Sequence, residues 1–445
     1  MAQVPFCVCV ACTSSLAPQV LPSLSMAAVG SVMPEVAQFG ERHNLTTAAQ
    51  EELQGLMNAS IVLTQKKVTV TVPATVANMG PGLETCGMAL DIWDEFTLEY
   101  AESPMLEAFG NYSSDVTRNL ETNLTVRGAK EAFKASGRPF PSLRFSCTHR
   151  IPYKQGLGGP SASYVGGYLA GSVLCSEELR HFPASSQELE EDAVPAASLG
   201  RTSSLHNVLG TSSPAHGDAS PSKKKTGPAL SGLDMLLQSG VAMRWNPGNV
   251  CPAIYGALQI GTKAGNNVSS HRVPVPNGLV CVLWVPDTLN EGTPLPTETE
   301  VERKSAIFNV GRMALLTNCF CSGNFEMFSK ATEDTLTQPH VQAQFPFVSD
   351  ICQAAMENGS QGAFACGYGP SCVALITGRS GDILAQSSYN ELEQAVAKAM
   401  LDKADQLGVA GRIHIAKTAD IGAHVLSQKS ELSTVQGNDR IVYHQ

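Results

Sequence analysis

Alternating apolar and polar residues mark the first ordered part of the chain. Residues 67–72 read KVTVTV and residues 95–100 read EFTLEY, a period of two that predicts two half-buried β-strands. A loop punctuated by proline and glycine separates them. Apolar residues at helical spacing then predict a helix over 124–136, and residues 142–151 return to strand character. The ordered part therefore begins with two strands, a helix and a third strand.

A segment over residues 176–228 differs in composition from its surroundings. Serine, proline, glutamate, glycine and histidine dominate it, aromatic residues nearly vanish, and no hydrophobic period persists. Such a segment cannot bury enough apolar area to offset the entropy lost on ordering. We therefore predict a disordered insertion here.

Hydrophobic periodicity resumes at Ala229 and predicts a mixture of strands and helices. The predicted strands lie at residues 257–260, 279–285 and 374–376, and the predicted helices at 302–319, 348–358 and 389–407. Their irregular order, without strict alternation of strand and helix, favours the α+β class.

Composition and charge exclude several kinds of partner. The chain has 445 residues, 43% of them hydrophobic, which supplies an adequate core. Its net charge is −10 and no stripe of basic residues is present, which argues against nucleic acid as a partner. No window carries the roughly 18 apolar residues that span a bilayer, and residues 1–34 lack the basic start of a signal peptide. Apart from a cluster at Cys7, Cys9 and Cys12, the 13 cysteines are scattered as buried residues would be. We expect a cytoplasmic protein with no nucleic-acid or membrane partner.

The first of three glycine-containing motifs spans residues 72–87, VPATVANMGPGLETCG, directly after a predicted strand. Its glycines permit positive φ angles and a close approach of backbone to a ligand, while Asn78 and Glu84 add polar groups. A structural turn explains this spacing equally well.

The second motif spans residues 151–163, IPYKQGLGGPSAS, between a predicted strand and a run of small residues. Glycines at a strand-to-helix junction leave backbone N–H groups unpaired at the positive end of the helix, an arrangement that binds phosphate. Pro160 fits a first-turn position, where no donor is lost. The motif is not a Walker A loop, because the terminal Gly-Lys-Ser/Thr is missing.

The third motif, CGYGPS over residues 366–371, lies between two short apolar runs. Its glycines indicate either a close approach of the backbone to another loop or ligand, or a tight β-turn.

The order and spacing of the three motifs resemble the signature of the GHMP kinases. VPATxANxGPG followed by GMALDIWDE resembles the homoserine kinase family in particular. Residues 249–259, NVCPAIYGALQ, and 307–312, IFNVGR, resemble two further segments of that family. The resemblance covers residues 66–175 and 229–425.

This resemblance implies a fold and a function. The fold is α+β, the GHMP kinase fold, with an N-terminal ribosomal-protein-S5-like α/β domain and a C-terminal ferredoxin-like α+β domain. The reaction is the phosphorylation of L-homoserine to O-phospho-L-homoserine in threonine biosynthesis, with ATP and Mg²⁺ as cofactors and a homodimer as the assembly. The implied division is a disordered N-terminal extension at 1–60, an ATP-binding domain at 61–260, a C-terminal domain at 261–425 and a tail at 426–445.

Individual roles also follow from the resemblance. ATP would be bound by Gly156, Leu157, Gly158, Gly159, Pro160, Ser161 and Ala162. The acceptor would be bound by Asn78, Glu84, Asn249 and Arg312, with Asn249 as the catalytic residue. Mg²⁺ would be held by Ser161 and Asp234, and the third loop would contribute Gly367, Gly369, Pro370 and Ser371. No residue stands out as a general base, so catalysis would rest on electrostatic stabilisation.

The sequence departs from the family pattern at several of these positions. Gly159 and Pro160 stand where relatives have two serines, Glu84 and Gly248 each replace an aspartate, and Val341 replaces an arginine that would bind the substrate carboxylate. Valine cannot supply such a bidentate contact. Two alternatives therefore stay open: another GHMP activity, such as mevalonate-pathway or sugar kinase chemistry, and a non-catalytic binding protein that keeps the fold.

Overall fold

The computed structural model describes residues 67–175, 232–242, 246–265, 267–287, 300–377 and 383–429. The predicted extension at 1–60 and the predicted insertion at 176–228 lie outside these residues, as does the predicted tail beyond Lys429. Within the described ranges, no helix is both long enough and apolar enough to cross a membrane.

A seven-stranded sheet is built around the antiparallel pair β1 (Lys67–Ala77) and β2 (Cys86–Tyr100). These are the two strands that the alternating segments predicted. The other strands are β3 (Met105–Phe109), β4 (Leu143–Thr148), β5 (Leu258–Ala264), β6 (Asn267–Val273) and β11 (His424–Lys429). The order is β11-β1-β2-β4-β3, with β5 pairing with both β2 and β6.

Four helices of the described ranges accompany this sheet. They are α1 (Leu124–Ala135), α2 (Gly159–Cys175), α3 (Gly232–Ala242) and α4 (Pro247–Tyr255). Helix α1 starts where the side-chain oxygen of Asn123 accepts hydrogen bonds from the main-chain N–H groups of Thr125 and Val126, at 2.9 and 3.2 Å. Helix α2 is buried along almost its whole length and packs against α1 and β1. It is the central helix of this half of the molecule.

The second sheet is antiparallel, with strand order β10-β7-β9-β8. Its strands are β7 (Val280–Pro286), β8 (Gly362–Ala365), β9 (Cys372–Ile376) and β10 (Gly411–Lys417). The helices of this half are α5 (Arg303–Ser322), α6 (Phe328–Ala331), α7 (Gln338–Gln344), α8 (Phe347–Glu357) and α9 (Ile383–Gln406). Helices α8 and α9 pack on the sheet and give the order β7-α8-β8-β9-α9-β10, which is the predicted ferredoxin-like arrangement.

Strand β7 faces two different parts of the core. Cys281, Leu283 and Val285 belong to a large apolar cluster that includes the first sheet, while Val282 and Trp284 belong to a second cluster beneath α8 and α9. Because side chains alternate along a strand, the second sheet is buried on both faces. The two sheets therefore share one continuous core.

Most predicted elements are present, with shifted ends. The predicted strand over 142–151 ends at Thr148, because the N–H groups of Arg150 and Ile151 donate to the buried carboxylate of Asp94, at 2.6 and 2.8 Å, and so cannot continue a strand ladder. The predicted helix over 389–407 already begins at Ile383.

The sheets also bear on the predicted domain limits. Residue 260 lies inside β5, and β5 and β6 both belong to the first sheet. Strand β11 continues to Lys429, so the first residues of the predicted tail are part of that sheet. The division into two domains at residue 260 stays a prediction.

Candidate active site

The second motif forms the loop that leads into α2. Helix α2 begins at Gly159, so Pro160 occupies its first turn as predicted. The N–H of Ala162 bonds to the carbonyl of Gly158 at 2.9 Å, whereas the N–H groups of Gly158, Gly159 and Ser161 meet no backbone acceptor in the described part of the chain. Unpaired donors at the positive end of a helix are what an anion such as phosphate requires. We call residues 156–161 the phosphate loop, after the role that the sequence predicts for them.

The phosphate loop is packed against β1 through Thr75. The N–H of Thr75 donates to the carbonyl of Leu157 at 3.1 Å. Gly158 has a φ of +74°, and a Cβ atom there would lie 2.0 Å from Oγ1 of Thr75. Position 158 therefore excludes any side chain on grounds of both space and conformation.

The third motif closes over the phosphate loop. The N–H of Gly369 bonds to the carbonyl of Cys366 at 3.0 Å, which makes residues 366–369 a tight turn. The Sγ of Cys366 bonds to the carbonyl of Gly156 at 3.1 Å, and a Cβ atom on Gly369 would lie 2.5 Å from the nitrogen of Gly156. Burial raises the pKa of Cys366 to about 12, so it remains a thiol donor. Both interpretations of this motif hold: it is a tight turn and a close approach.

The loop of the first motif has an unusual backbone. Asn78, Met79 and Glu84 have positive φ angles of 68°, 45° and 56°, a conformation that costs free energy in non-glycine residues and persists only when the surroundings enforce it. The N–H of Glu84 donates to Oδ1 of Asn78 at 3.0 Å, and the N–H of Gly248 donates to the carbonyl of Glu84 at 3.2 Å. These contacts fix the backbone that carries the Glu84 carboxylate.

One donor of Asn78 has no partner among the described residues. Its side chain is only 1% exposed, and its Oδ1 also accepts a hydrogen bond from Nδ2 of Asn246 at 3.2 Å. Its Nδ2 finds no acceptor among the described residues. Buried polar groups are nearly always paired, so this orphaned donor points to a ligand.

Asn249 lies in the first turn of α4, next to β1. The side chain of Asn246 caps this helix by accepting from the N–H of Gly248 at 2.7 Å. Oδ1 of Asn249 then accepts a hydrogen bond from Oγ1 of Thr75 at 2.9 Å. Thr75 therefore connects the predicted catalytic residue to the phosphate loop. Neither Thr75 nor Asn246 was singled out from the sequence, although Thr75 lies inside the first motif.

Arg312 lies near the first motif but is engaged elsewhere. Its Nε and Nη2 donate to Oε2 of Glu333 at 3.0 and 2.8 Å, and its Cζ lies 4.3 Å from the ring centroid of Phe308. Burial raises the pKa of Glu333, but hydrogen bonds and charges from Lys330 and Arg312 outweigh it and lower that pKa overall. One turn earlier on α5, Asn309 reaches the carbonyl of Pro81 at 3.4 Å. Arg312 is thus half of an ion pair, one helical turn from the residue of α5 that contacts the first motif.

The surroundings of Val341 and Asp234 bear on two roles that the family pattern suggests, binding of the substrate carboxylate and binding of Mg²⁺. Val341 is fully buried in the second apolar cluster, so it is a core residue. Asp234 accepts a hydrogen bond from the hydroxyl of Tyr255 at 3.0 Å. Tyr255 lies six residues after Asn249 on α4, roughly 9 Å further along the helix axis.

The predicted Mg²⁺ ligands are therefore not seen together. Ser161 is buried in the first turn of α2, whereas Asp234 is held at the far end of α4. In the described ranges, no group of three or more His, Cys, Asp or Glu side chains is arranged to hold a metal ion. The pairing of Ser161 with Asp234 has no support from these contacts.

Asp94 fixes the entry to the phosphate loop. It is fully buried, and its Oδ2 lies 3.0 Å from Nδ1 of His149 while its Oδ1 accepts from the N–H groups of Arg150 and Ile151. One carboxylate on β2 thus holds the two residues that precede the second motif and the first residue of that motif. Its sequence signal was weak, because a buried aspartate looks like any other polar residue on a strand.

The two sheets and the three interlocking motifs define the class of this protein: it has the GHMP kinase fold. The crystal structure of homoserine kinase from Cytophaga hutchinsonii matches with a TM-score of 0.59 at 18% identity, covering 81% of this chain and 97% of that one. No protein-family model matches the sequence.

The sequence of the chain is similar to those of homoserine kinases from two bacteria. The homoserine kinase of Moorella thermoacetica is 28% identical over 315 residues, 70% of this chain and 88% of that protein. The homoserine kinase of Caldicellulosiruptor saccharolyticus is 28% identical over 337 residues, 75% of this chain and 89% of that protein. The chain is thus similar in sequence to homoserine kinases over most of their length.

Proposed function

We propose that this protein transfers the γ-phosphoryl group of ATP to the side-chain hydroxyl of L-homoserine and so makes O-phospho-L-homoserine for threonine biosynthesis. The observation that carries the proposal is the phosphate loop: its unpaired N–H groups lie beside Thr75, which contacts Asn249. The curated relatives described above are homoserine kinases.

The nucleotide site fits the residues present. The N–H groups of Gly158, Gly159 and Ser161 are main-chain donors, so they survive the loss of the two serine hydroxyls that relatives have at 159 and 160. ATP supplies the phosphoryl group, and these donors neutralise the negative charge that it carries. The substitutions at 159 and 160 therefore do not remove the main contribution of the loop.

The acceptor site lies on the first motif. The carboxylate of Glu84 can hold the ammonium group of an amino acid, and the orphaned Nδ2 of Asn78 can donate to one of its oxygens. Arg312 binds the substrate carboxylate only by sharing or releasing Glu333. Recognition of the ammonium group is accordingly the better-supported part of the proposal.

Phosphoryl transfer needs positioning and charge neutralisation more than proton abstraction. Asn249 contributes positioning, because Thr75 fixes its amide from one side. Mg²⁺ in kinases commonly uses one or two protein ligands together with phosphate oxygens. Ser161, in the first turn of α2, fits as one such ligand, while Asp234 stays a prediction.

Compartment and assembly complete the proposal. The cysteines of the described part are free thiols and almost all are buried, which supports a reducing compartment such as the cytoplasm. A homodimer, which the family resemblance implies, stays a prediction that light scattering of the purified protein can test.

The decisive experiment is a coupled ADP-release assay with homoserine and Mg²⁺. Gly158→Asp places a side chain against Thr75 and a negative charge in the phosphate loop, so we expect a loss of at least about 100-fold. Gly137→Asp is the matched control, because Gly137 also has a positive φ but has nothing within 4 Å of its added Cβ. Equal rates in wild type and Gly158→Asp would reject the placement of ATP.

An acceptor panel separates the alternatives. Faster ADP release with mevalonate or a hexose than with homoserine would assign another GHMP activity. ATP binding by calorimetry without turnover on any acceptor would assign a non-catalytic binding protein.

A further inference from the structure

Tyr368 reaches from the third motif to the first. Its hydroxyl lies 3.4 Å from Oε1 of Glu84. The tight turn of residues 366–369 presents it, and that turn is held in place by the bond from the N–H of Gly367 to the carbonyl of Ala77 at 3.2 Å. The ring packs against the second apolar cluster and lies edge-on to His340, with ring centroids 6.4 Å apart. The position of the tyrosine is therefore fixed from several sides.

Glu84 needs such a partner. Its backbone is fixed by Asn78 and Gly248, but its side chain is exposed and one methylene longer than the aspartate of the family pattern. A long exposed side chain loses rotamer freedom when it binds a ligand, and that loss weakens binding unless the side chain is held beforehand. Oε2 of Glu84 has no hydrogen bond to a described residue, so one oxygen is restrained and the other is available.

The chemistry of the pair suits this role. Burial, and then the nearby charge of Glu84, raises the pKa of Tyr368, so the phenol keeps its proton at neutral pH. It can therefore donate to Oε1 while Oε2 accepts from a cation. A separation of 3.4 Å is long for an O–H···O bond, and such contacts commonly tighten when the substrate is bound.

We propose that Tyr368 is a positioning residue that determines specificity: its hydroxyl orients the Glu84 carboxylate toward the ammonium group of the acceptor. This inference rests on the proposed function, and it names the part of the substrate that the third motif helps to recognise. The third motif would then serve two ligands, the nucleotide through Gly369 against the phosphate loop and the acceptor through Tyr368.

The test is Tyr368→Phe, which removes the hydroxyl and keeps the ring. The KM for homoserine should rise about three- to tenfold, with kcat and the KM for ATP within about twofold of wild type. A second probe is 4-hydroxybutanoate, which keeps the hydroxyl and the carboxylate of homoserine but lacks its ammonium group. Measured as a competitive inhibitor against homoserine, it should bind wild type and Tyr368→Phe equally well.

Two further variants separate orientation from packing. Glu84→Gln should raise the KM for homoserine, and adding Tyr368→Phe to it should cause little further change, because the two residues act through one contact. Tyr100→Phe removes the same hydroxyl at the far end of β2, on the order of 40 Å along the strand from Cys86, and should behave as wild type.

Three outcomes would overturn the inference. They are an unchanged KM for homoserine in Tyr368→Phe, an equal loss of affinity for 4-hydroxybutanoate, and full additivity with Glu84→Gln. Failure of wild type to phosphorylate homoserine would instead reject the proposed function itself.

Discussion

Thr75 links the first motif both to the phosphate loop and to Asn249. Its N–H bonds to Leu157 in the phosphate loop, its hydroxyl bonds to Asn249, and its Oγ1 occupies the space that a side chain at position 158 would need. A fully buried hydroxyl is costly unless it is paired, so this contact defines one rotamer for both partners. Asn249 is therefore held before any ligand arrives.

Replacing Thr75 with valine tests this role. Valine has the same shape but cannot donate to Asn249, so we expect kcat to fall by about tenfold while the KM for ATP stays within about twofold. Thr75→Ser keeps the donor and serves as the matched control. The ADP-release assay measures both variants, and a Thr75→Val enzyme as fast as wild type would show that the amide of Asn249 needs no such support.

At the scale of single elements, Asp94 joins β2 to the segment that precedes the phosphate loop. Its two carboxylate oxygens satisfy three groups, contributed by His149, Arg150 and Ile151, in a fully buried place. Substitution by alanine leaves these groups without a partner. Urea denaturation of Asp94→Ala should show a loss of about 3–5 kcal/mol in the free energy of unfolding.

The same variant should also bind ATP less tightly, because the residues it releases lead directly into the phosphate loop. Asp91→Ala, an exposed aspartate on the same strand, is the matched control. An Asp94→Ala protein that is destabilised yet binds ATP normally by calorimetry would limit Asp94 to a structural role.

Helix α1 offers a separate prediction. The side chain of Asn123 accepts from two N–H groups of the first turn and donates to the carbonyl of Thr117 at 2.8 Å. Asn123→Ala should lower the free energy of unfolding by about 1–2 kcal/mol. Exposed Asn111 provides the control substitution, and equal urea midpoints for the two variants would contradict the assigned cap.

Elements were predictable where a local period was strong. The KVTVTV segment and the helix at 124–136 show a clear pattern, and both are present as β1 and α1. Strand β11 was missed: HVLSQK offers little alternation, and its partner β1 lies at the other end of the chain. The predicted strand β4 was too long, because no local sequence pattern shows that Asp94 accepts hydrogen bonds from the N–H groups that follow the strand.

The residues of the candidate site were likewise predictable only where a local sequence pattern marks them. Glycines required by positive φ or close approach leave a mark in the sequence, so the phosphate loop and the third motif could be located. The bonds from Thr75 to Asn249 and from Tyr368 to Glu84 join residues 174 and 284 positions apart, and no local pattern marks such pairs. Asp234 was chosen by its proximity in sequence, and its contact with Tyr255 could not be foreseen.

At the scale of the whole molecule, the candidate site straddles the two sheets. The first motif connects β1 to β2 and the second motif follows β4 in the first sheet, while the third motif connects β8 to β9 in the second sheet. Gly369 packs against Gly156 across this boundary. Any ligand in the phosphate loop therefore depends on how the two sheets are joined.

A methyl group at Gly369 should disturb this joint. Gly369→Ala places a Cβ atom 2.5 Å from the backbone of Gly156, so we expect the KM for ATP to rise by about tenfold. Gly311→Ala adds the same methyl group on α5, where nothing lies within 4 Å, and should leave the KM for ATP unchanged. An unaltered KM in Gly369→Ala would mean that the third motif can shift without affecting the nucleotide.

Strand β11 makes a prediction about the complete fold. Its pairing with β1 runs from Lys67 opposite Lys429 to Thr71 opposite His424. A chain that ends at residue 423 should have a lower melting temperature and precipitate readily, because an open edge strand pairs with other molecules. A chain that ends at residue 429 is the control. Equal melting temperatures for these two chains would show that β11 adds nothing to the first sheet.

The pairing of β1 with β11 also affects how the chain folds during its synthesis on the ribosome. At ordinary rates of synthesis, on the order of half a minute separates the emergence of β1 from that of its last neighbour. During that interval the edge of β1 that later pairs with β11 is open, and it can pair with other molecules. We therefore expect that covering this edge during translation, as a chaperone can, raises the yield of folded protein.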